Sequence, residues 1–127
     1  MSKKPLRLGN LQLQILQVLW DQGPATVTDV LKRLPDGHGL AYTTIATMLR
    51  KMEARGLVDH EVEGRRFIYR AGVPAEDVTR SMAGDLLDRL FEGSLADMVS
   101  HLLSTREVSR DELSRIEGLI AARKKRP

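Results

Sequence analysis

Residues 41–58, "AYTTIATMLRKMEARGLV", decide how this chain folds. Ile45, Met48, Leu49 and Met52 recur at i, i+3, i+4 and i+7, the spacing of one face of an α-helix. The opposite face carries Thr43, Thr44, Thr47, Arg50, Lys51 and Arg55, with almost no acid. Such a face suits either plain solvation or contact with a polyanion. Gly56 supplies the left-handed residue that closes a helix. Two short β-rich runs follow, "LVDHEV" and "RFIYRA", joined by "EGR". Val58, His60 and Val62 alternate with acids, Phe67 and Tyr69 alternate on the return, and Gly64 lies between, which predicts a hairpin.

Upstream, "NLQLQILQVLWDQG" predicts a helix capped by Asn10, with Leu11, Ile15, Val18 and Leu19 facing inward and Gly23-Pro24 ending it. "TVTDVLKRLPDG" predicts a second helix. Thr26 and Asp29 are spaced for a variant capping box, and Val27, Val30, Leu31 and Leu34 form the apolar face. "PDGHG" is a turn by composition. Three helices followed by a hairpin make a winged helix-turn-helix over residues 1–73, with a core expected around Leu16, Leu31, Leu49 and Phe67.

In a helix-turn-helix the second helix of the motif enters the major groove, its N-terminal residues nearest the base edges. Thr43, Thr44, Thr47, Arg50 and Lys51 are therefore the candidate DNA contacts. Thr hydroxyls can donate to phosphate, and a Thr methyl can pack on thymine. Arg50 suits either a guanine edge or a phosphate. Arg65 and Arg66 at the wing tip would meet neighbouring backbone or the minor groove. Tyr69 is divided between a core ring and a hydroxyl reaching a phosphate. Lys3, Lys4 and Arg7 form a basic arm.

Beyond Pro74 the pattern is helical only, giving a second expected domain at 74–127. Ser94 with Asp97 and Ser109 with Glu112 mark two helix starts. Leu86, Leu90, Phe91, Leu95, Met98, Val99 and Leu102 lie on apolar faces that about 50 residues cannot bury alone. Pairing with a second copy is the expected solution, since most homo-oligomers are twofold.

Charge follows the same division. Residues 1–73 hold eleven Lys and Arg against seven Asp and Glu, and residues 74–122 hold five against ten. The terminal "RKKRP" adds four cations as a basic tail, and the whole chain carries +3. A basic front and an acidic rear fit a polyanion-binding module joined to a pairing module. The chain's 127 residues are 42% hydrophobic but only 4% aromatic, so the core is aliphatic. It has no cysteine, which excludes a disulfide framework, a thiolate metal site and a cysteine nucleophile. His38, His60 and His101 show no metal-ligand spacing, and no glycine-rich phosphate loop occurs. His60 reads as half-buried structure, and Asp85 and Asp88 as solvated carboxylates. No cofactor and no enzyme activity are expected. No apolar run approaches the roughly 20 residues of a membrane span, and "MSKKPLRLGN" lacks a signal peptide's apolar stretch. The expected place is the cytoplasm, without membrane insertion.

"YTTIATMLRKMEARGLVDHEVEGRRFIYRAGV" resembles the recognition helix and wing of the penicillinase-repressor family, which includes the methicillin-resistance and copper-responsive repressors. "LGNLQLQILQVLW" with Trp20, "LFEGSLADMVSHLL" and "VSRDELSRIEGLI" extend the resemblance over nearly the whole chain. It implies a dimeric repressor on a short palindromic operator in double-stranded DNA, with the front half reading DNA and the rear helices holding the dimer. It maps DNA contacts onto Thr43, Thr44, Thr47 and Arg50, and a wing contact onto Arg65 or Arg66. Ala46 departs from members with a basic residue there. The absent cysteines exclude copper sensing through a C-terminal cysteine cluster. The β-lactam branch implies a membrane sensor whose signalling leads to cleavage of an Asn-Phe bond in the rear helices. His101-Leu102 stands at that place here, which leaves the inducer open. The competing reading is a winged-helix module that binds protein rather than specific DNA.

Overall fold

The computed structural model describes residues 6–35 and 39–127. Lys3 and Lys4 of the basic arm, and most of the expected turn with His38, lie outside the described residues. The order is α1 (Asn10–Gln22), α2 (Val27–Arg33), α3 (Tyr42–Ala54), β1 (Val58–Glu63), β2 (Arg66–Ala71), α4 (Ala75–Phe91), α5 (Leu95–Thr105) and α6 (Arg110–Lys124). The fold is mainly helical with a two-stranded antiparallel wing: a winged helix-turn-helix followed by further helices.

Local chemistry sets the boundaries. Gly9, not Asn10, is the N-cap of α1, and its N–H donates to Gln12 Oε1 at 3.0 Å. Asn10 already belongs to the helix. At α2 the expected reciprocal pair forms. Asp29 N–H donates to Thr26 Oγ1 (3.1 Å), and Thr26 N–H donates to Asp29 Oδ2 (3.3 Å). The bond from the Thr26 amide, with that from its side chain, holds the Asp29 carboxyl below its ordinary pKa. Gly56 ends α3 at φ 78°, and Leu57 N–H donates to the Met52 carbonyl (2.9 Å), a 6→1 closure.

The wing pairs Val58 with Ala71, His60 with Tyr69 and Val62 with Phe67 on one face, and Asp59 with Arg70 and Glu61 with Ile68 on the other. Gly64 turns it at φ 65°, where a Cβ would be strained. On the outer face Arg70 donates to both Asp59 and Glu61, and the Asp59 pairing chiefly raises the guanidinium pKa. The wing is also tied to the α1–α2 connection. Ala25 and Tyr69 exchange backbone hydrogen bonds of 2.9 and 2.8 Å.

Two compact units divide between Asp85 and Leu86. The core of the first contains Ile15, Leu16, Val30, Ile45, Leu49, Met52, Leu57 and Val58, all buried. Two expectations about it are corrected. Phe67 is 45% exposed, because it pairs with exposed Val62 at the outer end of the hairpin, and Leu31 is only partly buried. The unit also runs past position 73. Val78 of α4 is buried to 1%, Met82 packs on the same cluster, and Ser81 Oγ accepts from Leu6 N–H at 2.8 Å. Trp20 Nε1–H donates to the Val73 carbonyl (2.9 Å), fastening the same junction.

The second unit holds the end of α4, α5 and α6. Ser94 caps α5 through Asp97 N–H and Ser109 caps α6 through Glu112 N–H, both at 3.1 Å. Phe91 meets His101 at 5.7 Å between ring centroids. None of this unit's residues is fully buried. Leu90 is 66% exposed and Leu95 64%, with Leu86, Leu102, Leu103, Leu119 and Ile120 also exposed. No helix among the described residues is long and apolar enough to cross a membrane.

Candidate nucleic-acid interface

The buried stripe of Ile45, Leu49 and Met52 fixes α3 against the core and turns its other side outward. Thr43, Thr44, Thr47, Arg50 and Lys51 are all exposed on that side. Arg50 donates to Thr47 Oγ1 at 3.4 Å, one turn back along the helix. Thr43, Thr44, Thr47, Met48 and Lys51 line a shallow dent on this face. Met48 is steadied from below by Gln12 Nε2, 3.4 Å from its sulfur.

Beside α3 lies a larger cleft of about 610 Å³, walled by the start of α2, by α3 and by the wing. Its cations are Lys32, Arg50, Arg65 and Arg66, and Asp29 is its one acid. Thr26, Thr28 and Tyr42 add hydroxyls, while Phe67 and Tyr69 add aromatic surface. A basic, hydroxyl-lined channel between a helix face and a wing suits a phosphate backbone. Arg50 of α3 and Arg65 and Arg66 of the wing therefore line one cleft. Tyr69 is only 2% exposed, so its ring belongs to the core while lining this cleft. Burial chiefly, and then Glu53, raises its phenol pKa, so the hydroxyl stays protonated at neutral pH.

Arg55 behaves differently from the other cations of α3. Its guanidinium donates to the Arg7 carbonyl (2.9 Å) and to Gln12 Oε1 (3.4 Å). It ties the end of α3 to the approach of α1. Glu53 is also engaged, with its Oε1 2.6 Å from His60 Nδ1. The His60 ring stacks on Phe67 with centroids 4.2 Å apart, so this half-buried histidine braces the wing against α3.

Sequence reasoning missed Thr26, Thr28, Lys32 and Tyr42. The capping role of Thr26 was legible, but the approach of α2 to the wing rests on contacts far apart in the chain. Tyr42 carried a signal, being a large ring at the start of a helix outside its apolar stripe; it is 53% exposed. Among the described residues no three acids or histidines gather to hold a metal ion.

A winged helix-turn-helix with a cationic, hydroxyl-bearing recognition face belongs to the nucleic-acid-binding class of folds. The sequence profile of the penicillinase repressor family matches residues 8–122, and the chain belongs to that family, one of repressors rather than enzymes. The penicillinase repressor of Bacillus licheniformis is 26% identical over 124 residues, covering 98% of this chain and 97% of that one. Transcriptional regulator BlaI of Mycobacterium tuberculosis (strain CDC 1551 / Oshkosh) is 28% identical over 123 residues, covering 93% of this chain and 86% of that one. Among solved structures, the DNA binding domain of the repressor BlaI aligns with a TM-score of 0.50 at 28% identity. That alignment covers 60% of this chain and 93% of the domain.

Proposed function

We propose that this chain is a transcriptional repressor that binds a palindromic operator in double-stranded DNA as a homodimer. The observation that carries the reading is the cationic and hydroxyl lining of the α3 face and of the cleft between α2, α3 and the wing, where Asp29 is the one acid lining the cleft. The relatives support it: one is a penicillinase repressor, another a transcriptional regulator, and the similar solved domain is the DNA binding domain of a repressor. Thr43, Thr44, Thr47, Arg50 and Lys51 meet the major groove, and Arg65 and Arg66 meet flanking backbone. Tyr69 supports the cleft from its floor.

The second unit holds the dimer. Leu86, Leu90, Leu95 and Leu102 are exposed there, and Phe91, Met98 and Val99 are only half-buried. A unit with no buried residue of its own needs a partner to cover its leucines, and a second copy presents the same apolar face. The division into a DNA-reading part and a pairing part follows this, with the basic tail at residues 123–126 ending the pairing part.

Release follows a signal such as proteolysis in the second unit, fed by a membrane sensor-protease system as the family resemblance implies. His101 and Leu102 are in the middle of α5, so cleavage there requires that helix to open first. The protein acts where the chromosome is, in the cytoplasm.

A mobility-shift titration on the promoter upstream of the chain's own gene tests the reading. Binding should weaken steeply between 50 and 200 mM salt, on the order of 6–10 counterions being released per dimer. A flat salt dependence, or no shift on promoter DNA alongside retention of a protein partner, would favour a protein-binding module instead.

A further inference from the structure

Each base pair shows the major groove a fixed set of atoms, and each set is read by particular side chains. Adenine is read by the paired donor and acceptor of Asn or Gln. The cytosine amino group needs an acceptor such as Asp or Glu. Guanine O6 and N7 take Arg or Lys, and the thymine 5-methyl takes apolar contact. Residues 42–54, "YTTIATMLRKMEA", contain no Asn, Gln or Asp. Their one acid, Glu53, is held by His60 at 2.6 Å and so is occupied on the wing side. The paired amide that reads adenine and a free carboxylate that reads cytosine are therefore missing from α3, and threonine hydroxyls are its uncharged polar readers.

What remains is grouped. Thr43, Thr44 and Thr47 surround Met48 in one dent, with Lys51 at its edge. The Thr47 oxygen accepts from Arg50, which holds the side chain and leaves its O–H and its methyl to meet a ligand. Three threonines and a thioether thus gather methyl and sulfur surface in one open dent that a small alkyl group can enter. Lys51 and Arg50 stand on either side of Thr47 in the exposed row and are suited to acceptor atoms.

Resting on the DNA-binding reading, we propose that the dent on α3 recognises the 5-methyl group of a thymine, with an adjacent guanine offering O6 and N7 to Lys51 or Arg50. Specificity at that step comes chiefly from a methyl contact rather than from a paired amide. Burying one methyl contributes about a fourfold change in affinity, and two half-sites together give roughly 15-fold.

The probe is a duplex selected by the full-length protein from a random 20-base-pair library, then synthesised with thymine or with uracil throughout. The two differ only by the 5-methyl groups. The wild-type dissociation constant should rise roughly 15-fold on the uracil duplex at fixed salt. Thr43→Ser, Thr44→Ser and Thr47→Ser each keep a hydroxyl and remove a methyl. The triple variant should bring the uracil-to-thymine ratio towards one, which separates direct contact from an effect of uracil on DNA shape. If the triple variant loses its helical circular dichroism, Thr44→Ser alone should still lower the ratio. A wild-type ratio within twofold, or an undiminished ratio in a folded serine variant, overturns the inference while leaving DNA binding intact. Failure to retain any duplex from the library overturns the DNA-binding reading itself, and this inference with it.

Discussion

Ending the chain at Gly72 and ending it at Asp85 should give two different fragments. The shorter keeps all three helices of the motif and the whole wing, yet it loses Val78, a residue only 1% exposed. Burying a valine contributes about 1.5–3 kcal/mol. The shorter fragment also lacks the Val73 carbonyl that accepts from Trp20, a bond with a net contribution of about 0.5–1.5 kcal/mol, and the partial cover given by Met82. The total is about 3–5 kcal/mol, against the roughly 5–15 kcal/mol that holds a small domain together. With a urea dependence near 1.5 kcal/mol per molar, the unfolding midpoint should drop by about 2–3 M. Urea titrations followed by tryptophan fluorescence report this directly, since Trp20 is at the lost junction. Sedimentation of fragment 1–85 should show a monomer, because the exposed leucines from Leu86 onward are gone. Its affinity for a palindrome should fall by orders of magnitude, since joined half-sites act at an effective concentration near the millimolar range. Midpoints within 0.5 M of one another would refute the assignment of the first turns of α4 to the core. A dimeric fragment 1–85 would refute the role given to the second unit.

Three further outcomes are expected. Arg65→Ala and Arg66→Ala should weaken operator and scrambled DNA about equally and lower the salt slope by roughly 0.9 per contact, whereas Thr47→Ala should cost about 1–3 kcal/mol on operator alone; paired binding titrations read both. Thr26→Ala should destabilise the first unit by about 0.5–2 kcal/mol, measured by thermal or urea unfolding, because the cap of α2 is lost. The Asp29 carboxyl should titrate below the ordinary aspartate value in an NMR pH series. Its folded pKa is depressed, so its stabilising effect is present above the unfolded value and is lost as pH falls through the folded one. Asp29→Asn should remove that acid-side dependence.

Much of this was legible because local spacing carries it. The stripe of Ile45, Leu49 and Met52 is buried as its period demands, and the caps at Thr26, Ser94 and Ser109 form the bonds their spacing allows. The hairpin turns at Gly64 in the register that alternation implies. One error was local: Asn10 and Gly9 both suit a helix start, and Gln12, three residues on, decides for Gly9. The others came where the decisive contact is distant. Phe67 looks like core by composition, but its exposure depends on how far the hairpin extends beyond α3. Val78 and Leu90 share one apolar pattern along α4, yet Val78 is buried and Leu90 is 66% exposed. Arg55 resembles its cationic neighbours, and nothing local shows that the Arg7 carbonyl, a backbone group, would claim it. The exposed row on α3 was readable, whereas the α2 wall of the cleft was not.

The paired backbone bonds between Ala25 and Tyr69 have a consequence for how DNA is measured out. A hairpin free to swing would give up about 1–2 kcal/mol of backbone freedom for each residue fixed on association. Here the wing is stitched to the connection between α1 and α2 and braced to α3 through His60 and Glu53, so that ordering is already complete before any encounter. In the proposed complex, the helix in the groove and the wing on the flank behave as the two fixed points of a pair of callipers. Duplexes whose groove width holds the flanking phosphates at the right span are accepted without adjustment. Those that are too wide or too narrow must themselves deform, and the mechanical stiffness of the DNA enters the choice of site alongside its base edges.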